Sequence, residues 1–369
     1  MSSLEELKRR RELLDKKSKA ILSNMDMIIQ ENYRVAEVAH NAGKIIDDLD
    51  KKFDKLTKLN GFDISFLFFA TALQCVRQYW LSNEKFRFDK DGDASKVLKK
   101  TMPKSYSEIL LGPVPYDAFK KSDDFRSTYI NTGVSGANHR YTVLGHDPLL
   151  GWIFGTLNII TDSLTKNNIM LESYKVINST HIDAPITFPA LIHECSQQVQ
   201  NDYKILIVAV TRQALHYGTD AFTKMGLPIP IVNNLSPDLT STLMKNGIDL
   251  YGITRGATLS ILINTIIAAI HGLYYDNKFY KNRDVYEVKT RKILSYSNLI
   301  ATTSNVIYVA MNSAMGNELA LRNLDVGGML VTIYRLINDY QFVRRVKEEF
   351  VFGGFNKLIE GEEYKFEDV

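Results

Sequence analysis

The chain has 369 residues, of which 45% are hydrophobic, and 45 Lys and Arg against 42 Asp and Glu leave a formal charge of +3. That apolar content supports a real core and excludes global disorder. The charge is too close to balance to argue for nucleic acid by itself. The two cysteines, Cys75 and Cys195, exclude a disulfide framework and fit a reducing setting.

Residues 1–60 read as an amphipathic helical arm. Leu4, Leu7, Leu14, Ile21, Leu22, Met25 and Ile28 or Ile29 form one stripe at helical spacing, and Val38, Ala42, Ile45, Leu49, Phe53 or Leu56, and Leu59 form a second. The spacing resembles heptads and predicts a helical hairpin broken near Asn32, or one long helix. Such an arm suits contacts between copies, so a homo-oligomer is the expected partner. Lys8-Arg9-Arg10-Arg11 reads first as a solvated helix face. The segment lacks the apolar core and cleavage site of a signal peptide. A cytoplasmic location is expected, with peripheral or integral attachment to the inner membrane left open by apolar segments further on.

Residues 61–226 read as the first half of a helical core. Phe62 to Leu81 predicts a buried helix, because its apolar part between Asp63 and Arg77 is shorter than the roughly 20 residues of a membrane span. DKDGD at 89–93 opens like a calcium loop but lacks the later glutamate, so it reads as a polar turn. Gly112-Pro113-Val114-Pro115 predicts a loop. Asn131 to Thr165 is the densest run of glycine, histidine and small polar residues. There Asp147 is placed to cap a helix starting at Pro148 and ending near Thr165. Gly151 and Gly155, four apart, would let another helix approach closely. Tyr174 to Ile182 predicts a short strand or extended linker, and Pro189 to His216 one or two helices.

Two clusters in this half could carry chemistry. His139, His146 and Asp147 form the first, and His181, Asp183, His193 and Glu194 the second. Imidazole and carboxylate are ligands for a divalent metal and can act as acid or base. The competing reading is structural: Asp147 caps, the glycines turn and the histidines bond to backbone. His193-Glu194 has no second histidine at HExxH spacing.

Gly226 to Pro237, with three prolines, is the clearest break. Residues 236–352 then read as the second half of the core. Gly256 to Tyr275 passes 20 residues without a charge, long enough to span a membrane. Its Asn264, His271, Thr258, Ser260 and Thr265, and the polar residues of the uncharged run 293–317, favour burial in protein. Both charge-free segments are therefore expected to pack together, with the histidine region where they meet. Residues 276–292 carry Lys278, Lys281, Arg283, Lys289, Arg291 and Lys292, interleaved with Phe279, Tyr280 and Tyr286. They read as a solvated loop and helix start, with base stacking as the alternative. Asp325-Val326-Gly327-Gly328 opens a final helix, which Gly353-Gly354 is expected to end, leaving an acidic tail at 353–369.

No phosphate-binding GxxxxGK[ST] loop, GxGxxG turn, GxSxG elbow or CxxC pair occurs. The expected fold is mostly α: an N-terminal helical hairpin followed by a bundle of long apolar helices, with few or no strands. The first functional expectation is a non-enzymatic helical assembly protein, in oligomeric contact and associated with a membrane surface. A metal-dependent hydrolase using the His and Asp residues is the second. Nucleic-acid binding through 278–292 and the Arg9 region ranks third.

Overall fold

The computed structural model describes residues 3–81, 87–88, 93–117, 132–136, 138–177, 181–280, 282–317 and 319–361. The fold is mostly α, with fourteen α-helices and one three-stranded sheet among the described residues. The chain divides into two units, and the division falls inside helices rather than at the Gly226–Pro237 break. Unit one is Met1–Ala70, Thr265–Ser297 and Tyr334–Val369; unit two is Thr71–Asn264 and Asn298–Ile333.

In unit one the arm is α1 (Ser3–His40) and α2 (Ala42–Leu56). The break lies at Asn41 rather than near Asn32, and backbone bonds from Asn41 to Glu37 and from Ile45 to Asn41 cross it. A small apolar core gathers Phe53, Val285, Val288 and Val346, with Phe342 and Phe350 against it. Leu49, Phe66, Ile267 and Ile293 are buried as well, and polar groups share the interior with them. Asp63, at the start of α3 (Gly61–Val76), exchanges capping bonds with Asn60 at 2.8 and 2.9 Å. Its carboxylate also meets the buried Lys289 ammonium at 2.9 Å and lies 3.3 Å from His271 Nε2. Arg291 donates to Asp339 at 2.8 Å, and Lys292 donates to the Thr57 carbonyl at 3.1 Å.

These pairs correct the stacking-surface reading of 276–292. Lys289, Arg291 and Lys292 are held inside by Asp63, Asp339 and Thr57, and Tyr286 is buried. Lys281 lies outside the described residues.

In unit two a sheet of β1 (Ser163–Thr165), β2 (Ser173–Ile177) and β3 (His181–Ile186) runs antiparallel throughout. Val176, Ile182 and Leu164 from its strands join Ile159, Ile160 and Ala209 in the core. α7 (Gly151–Thr161) is stopped by Asp162 in the left-handed conformation, four residues before the expected Thr165. α8 (Phe188–Asn201) and α9 (Lys204–Ala221) follow. Gly155 and Gly151 admit α9 closely: a Cβ on Gly155 would lie 2.6 Å from Gln213 Cδ. The short helices α4 (Asp93–Thr101), α5 (Lys104–Leu110), α6 (His139–Thr142), α10 (Val232–Leu235) and α11 (Pro237–Lys245) complete the small elements. Of the DKDGD segment only Asp93 is described, as the first residue of α4.

α12 (Leu250–Gly272), α13 (Arg283–Ala314) and α14 (Val326–Ile359) are the long helices. α14 continues through Gly353-Gly354, because glycine weakens a helix without breaking it unless a turn is required. The acidic tail therefore starts after Gly361, beyond which residues are not described.

The charge-free segments do not hide from solvent, which corrects the expectation of mutual burial. Only 17% of the apolar window in α12 is buried. Ile261, Leu262, Leu299, Ile300, Ile307, Met311, Leu330 and Ile333 are exposed. Phe68 on α3, read as a buried helix, is 72% exposed. Polar groups turn inward beside apolar ones such as Ile267, Ile293 and Val309: in unit two, Gln74 and Asn298 both donate to Asn264, at 2.9 and 2.6 Å, and Ser260, Asn305 and Thr332 are buried. On α3 the buried positions Asp63, Phe66, Ala70 and Gln74, with Arg77 just beyond its end, recur at three- and four-residue steps. The helical period was legible; the inward face mixes polar and apolar residues.

Candidate metal centre

Three segments of unit two converge on one point. Pro113 and Pro115 set a tight turn that ends in Tyr116 and Asp117. The glycine-rich stretch supplies His139 at the start of α6 and His146 at the end of the 3-10 turn Leu144–His146. α9 supplies His216 and Asp220, four apart and so on one face.

One ligand atom from each of Asp117, His146, His216 and Asp220 lies within 4.8 Å of all the others. His146 Nδ1 is 3.3 Å and His216 Nε2 3.4 Å from Asp220 Oδ2. His146 Nε2 is 3.8 Å from Asp117 Oδ1, and His216 Nδ1 is 3.9 Å from Asp117 Oδ2. Neighbouring ligands around a tetrahedral ion with bonds near 2.1 Å stand roughly 3.4 Å apart. The cluster has that scale.

The donor set fits a divalent metal on a further ground. His146 is fully buried, and among the described residues neither ring nitrogen has a partner in hydrogen-bonding geometry, although the Asp220 carboxylate lies 3.3 Å from Nδ1. His216 Nε2 and Asp220 Oδ2 are likewise buried without partners. Leaving a buried polar atom unpaired costs about 1–3 kcal/mol. A cation among them would satisfy one nitrogen of each imidazole and the Asp220 oxygen, one ligand atom per residue. Burial draws the His146 pKa down to about 4, outweighing Asp220, so the ring stays neutral and keeps a lone pair for coordination. Burial raises the Asp117 and Asp220 carboxyls, but the imidazoles, foremost His216, outweigh it and hold both below the usual range.

A second layer fixes these groups. Arg140 spans Asp220 Oδ1 at 3.3 Å, Thr223 Oγ1 at 2.6 Å and the Gly226 carbonyl at 3.1 Å, so Asp220 Oδ2 is left facing the imidazoles. His139 is committed at both nitrogens, to Asp117 Oδ1 at 2.8 Å and to the Gly136 carbonyl at 2.9 Å. It orients Asp117 rather than offering a free ligand atom. The buried Tyr116 ring stands edge-on to His146 and His216, with centroids 5.2 and 5.6 Å away. Its hydroxyl bonds to Gln213, which donates to the Gly145 carbonyl at 2.9 Å. Gly145 is required here, since a Cβ would lie 2.7 Å from the Tyr116 ring. The Asp117 side chain is 32% exposed, that of His146 0%.

Of the residues singled out from sequence, His146 lies in the centre and His139 beside it. Asp147 does not. Its Oδ1 accepts from Leu149 and Leu150 amides at 2.9 and 2.8 Å, as a cap, and its Oδ2 accepts from the Ile231 amide at 2.9 Å. The second cluster does not join either. Asp183 and His193 are exposed on β3 and α8, and Glu194 is paired with Lys175. The His181 backbone begins β3, and its side chain lies outside the described part. Asp117, His216 and Asp220 were missed. His216-x-x-x-Asp220 was the readable signal, a ligand pair at helical spacing; Asp117 had none.

No family model, no curated protein and no solved structure matches the chain.

Proposed function

We propose that the chain is a metal-dependent hydrolase whose centre is Asp117, His146, His216 and Asp220. The observation that carries this reading is His146: wholly buried, with two partnerless nitrogens between two carboxylates and a second imidazole. Two imidazoles and two carboxylates suit zinc, manganese or iron. When bound, such an ion lowers the pKa of a coordinated water and polarises a substrate oxygen. The residues do the rest. Arg140 fixes Asp220, His139 fixes Asp117, and Tyr116 with Gln213 seals the inner wall against water. Asp117, the most exposed member, would face incoming substrate.

The test is metal analysis of the full-length protein purified without chelator, together with hydrolysis of p-nitrophenyl phosphate and p-nitrophenyl acetate. About one ion per chain, lost in Asp220→Asn and His216→Gln along with any turnover, is expected. Absence of stoichiometric metal, or unchanged metal in both variants, would overturn the reading.

We also infer that the long helices lie in a lipid bilayer. The supporting observation is the exposure of many Ile, Leu, Phe and Met side chains along α3, α12, α13 and α14 beside buried amides, hydroxyls and ion pairs, although Phe66, Ile267, Ile293 and Leu294 also turn inward. In lipid, polar groups gain by turning to each other and apolar ones lose nothing by facing out. α12, with 23 residues, is about 34 Å long, enough for the hydrocarbon core. Carbonate extraction of cell membranes tests it: the chain should stay in the pellet, and full release at high pH would reject insertion.

A further inference from the structure

A second feature of unit two lies outside the Asp/His cluster. A cavity of about 520 Å³ opens beside the first half of α12. Five cationic side chains line it: Arg77, Arg87, Lys224, Arg255 and Arg322. The single lining carboxylate is Asp325, already in an ion pair with Arg77. Apolar wall is supplied by Met244, Ile248, Ile253 and Leu259.

The cations are held in place from behind. Arg87 Nη2 meets the buried Asp249 carboxylate at 2.6 Å, and its guanidinium lies over the Tyr251 ring, 4.9 Å from the centroid. Arg77 Nε donates to Gln74 at 3.0 Å. Arg322 donates to the Lys245 carbonyl at 3.1 Å, while its Nε is buried without a hydrogen-bond partner. Its stem rests on Gly247, whose φ of +72° is a conformation glycine takes freely. Gathering like charges around a hollow raises their mutual repulsion, and a bound anion relieves it. Arginine forks match phosphate oxygens in pairs. The volume falls within the ~300–1,000 Å³ of small-molecule sites and exceeds what a bare phosphate fills.

We infer that this cavity binds an organic phosphate, the phosphate among the five cations and its carbon skeleton against the apolar wall. The phosphate belongs either to a soluble metabolite or to a lipid headgroup, because α12 forms one wall and its outer face is apolar. The inference stands apart from the metal reading, as the cavity lining shares no residue with the Asp/His cluster.

The experiment is calorimetric titration of the full-length protein in neutral detergent, stripped of metal by EDTA so that no ion can capture phosphate. One arm uses glycerol 3-phosphate, the other micelles doped with phosphatidylglycerol, and glycerol with phosphatidylcholine micelles is the control. Saturable binding of one or both phosphate probes is expected, with affinity at least tenfold weaker in Arg322→Gln and several-fold weaker in Lys224→Gln. The arm that saturates identifies the source. Lys224 is exposed, so Lys224→Gln decides the matter even where Arg322→Gln misfolds. Absence of saturation in both arms, or unchanged affinity in Lys224→Gln, overturns the inference. A protein that binds phosphate here but no metal would reject the hydrolase reading alone.

Discussion

Replacing His146 by leucine separates a metal ligand from a structural histidine. In the metal-free protein this ring holds two buried nitrogens without partners. Each costs about 1–3 kcal/mol, whereas leucine of similar bulk brings no polar atom. The lost contact with the Tyr116 ring, at 5.2 Å, returns about 0.5–1.5 kcal/mol of that. His146→Leu is therefore expected to unfold in EDTA at the same midpoint as wild type or higher, with a gain of roughly 0.5–5 kcal/mol. Zinc reverses the order. At a free concentration of 100 times Kd the wild type gains about 2.7 kcal/mol, since only the folded state has the site. At ~2–4 °C per kcal/mol for a unit of this size, its midpoint rises by roughly 5–10 °C, while the variant's does not move. The assay is thermal unfolding in neutral detergent, with and without zinc. A variant that loses 3 kcal/mol or more in EDTA, or keeps the zinc shift, would refute the reasoning.

Gly155→Ala should destabilise by about 1–3 kcal/mol and weaken zinc binding, because the new methyl group displaces Gln213 on the helix that carries His216 and Asp220; an unchanged midpoint and Kd would contradict this. Asp63→Asn removes the counter-charge of the buried Lys289 and should cost about 3–5 kcal/mol, recovered when Lys289→Met is added; denaturation of the single and double variants reads it. Leu7, Leu14, Ile21 and Ile28 stand at seven-residue steps on α1 and are all exposed, so we expect α1 to pair with a second copy. Light scattering should then give at least twice the 42.0 kDa chain mass, and Leu14→Lys with Ile21→Lys should bring it back to one chain. Acidification of the zinc-loaded protein should release the ion as protons compete for His146, followed with a zinc dye; retention well below pH 4 would contradict imidazole ligation.

The helices were readable because their periods and punctuation are local. Asp147 and Pro148 announce α7, Ser236 and Pro237 announce α11, and Asp325 with its glycines announces α14. Which face turns inward was not readable. That step assumed apolar residues go inside, and α3 and α12 invert it, keeping Asp63, Gln74 and Asn264 within. The centre was half visible for a similar reason. His146 stood out in a glycine-rich run, but its partners arrive by tertiary packing: α9 through the close approach at Gly155, Asp117 through a proline-bounded turn. Asp147, His193 and Glu194 were drawn in by sequence proximity, which says little about where side chains meet.

The centre also has a mechanical consequence. Its four groups come from stretches roughly 30 and 70 residues apart along the chain, so one ion would act as a removable cross-link closing two long loops. By the entropy reasoning used for covalent bridges, closures of that length are worth about 3–4 kcal/mol each, through the freedom denied to the unfolded chain. Metal supply would then govern how long the chain survives proteases as well as what it catalyses, and a cell short of the ion would clear the protein rather than store it idle.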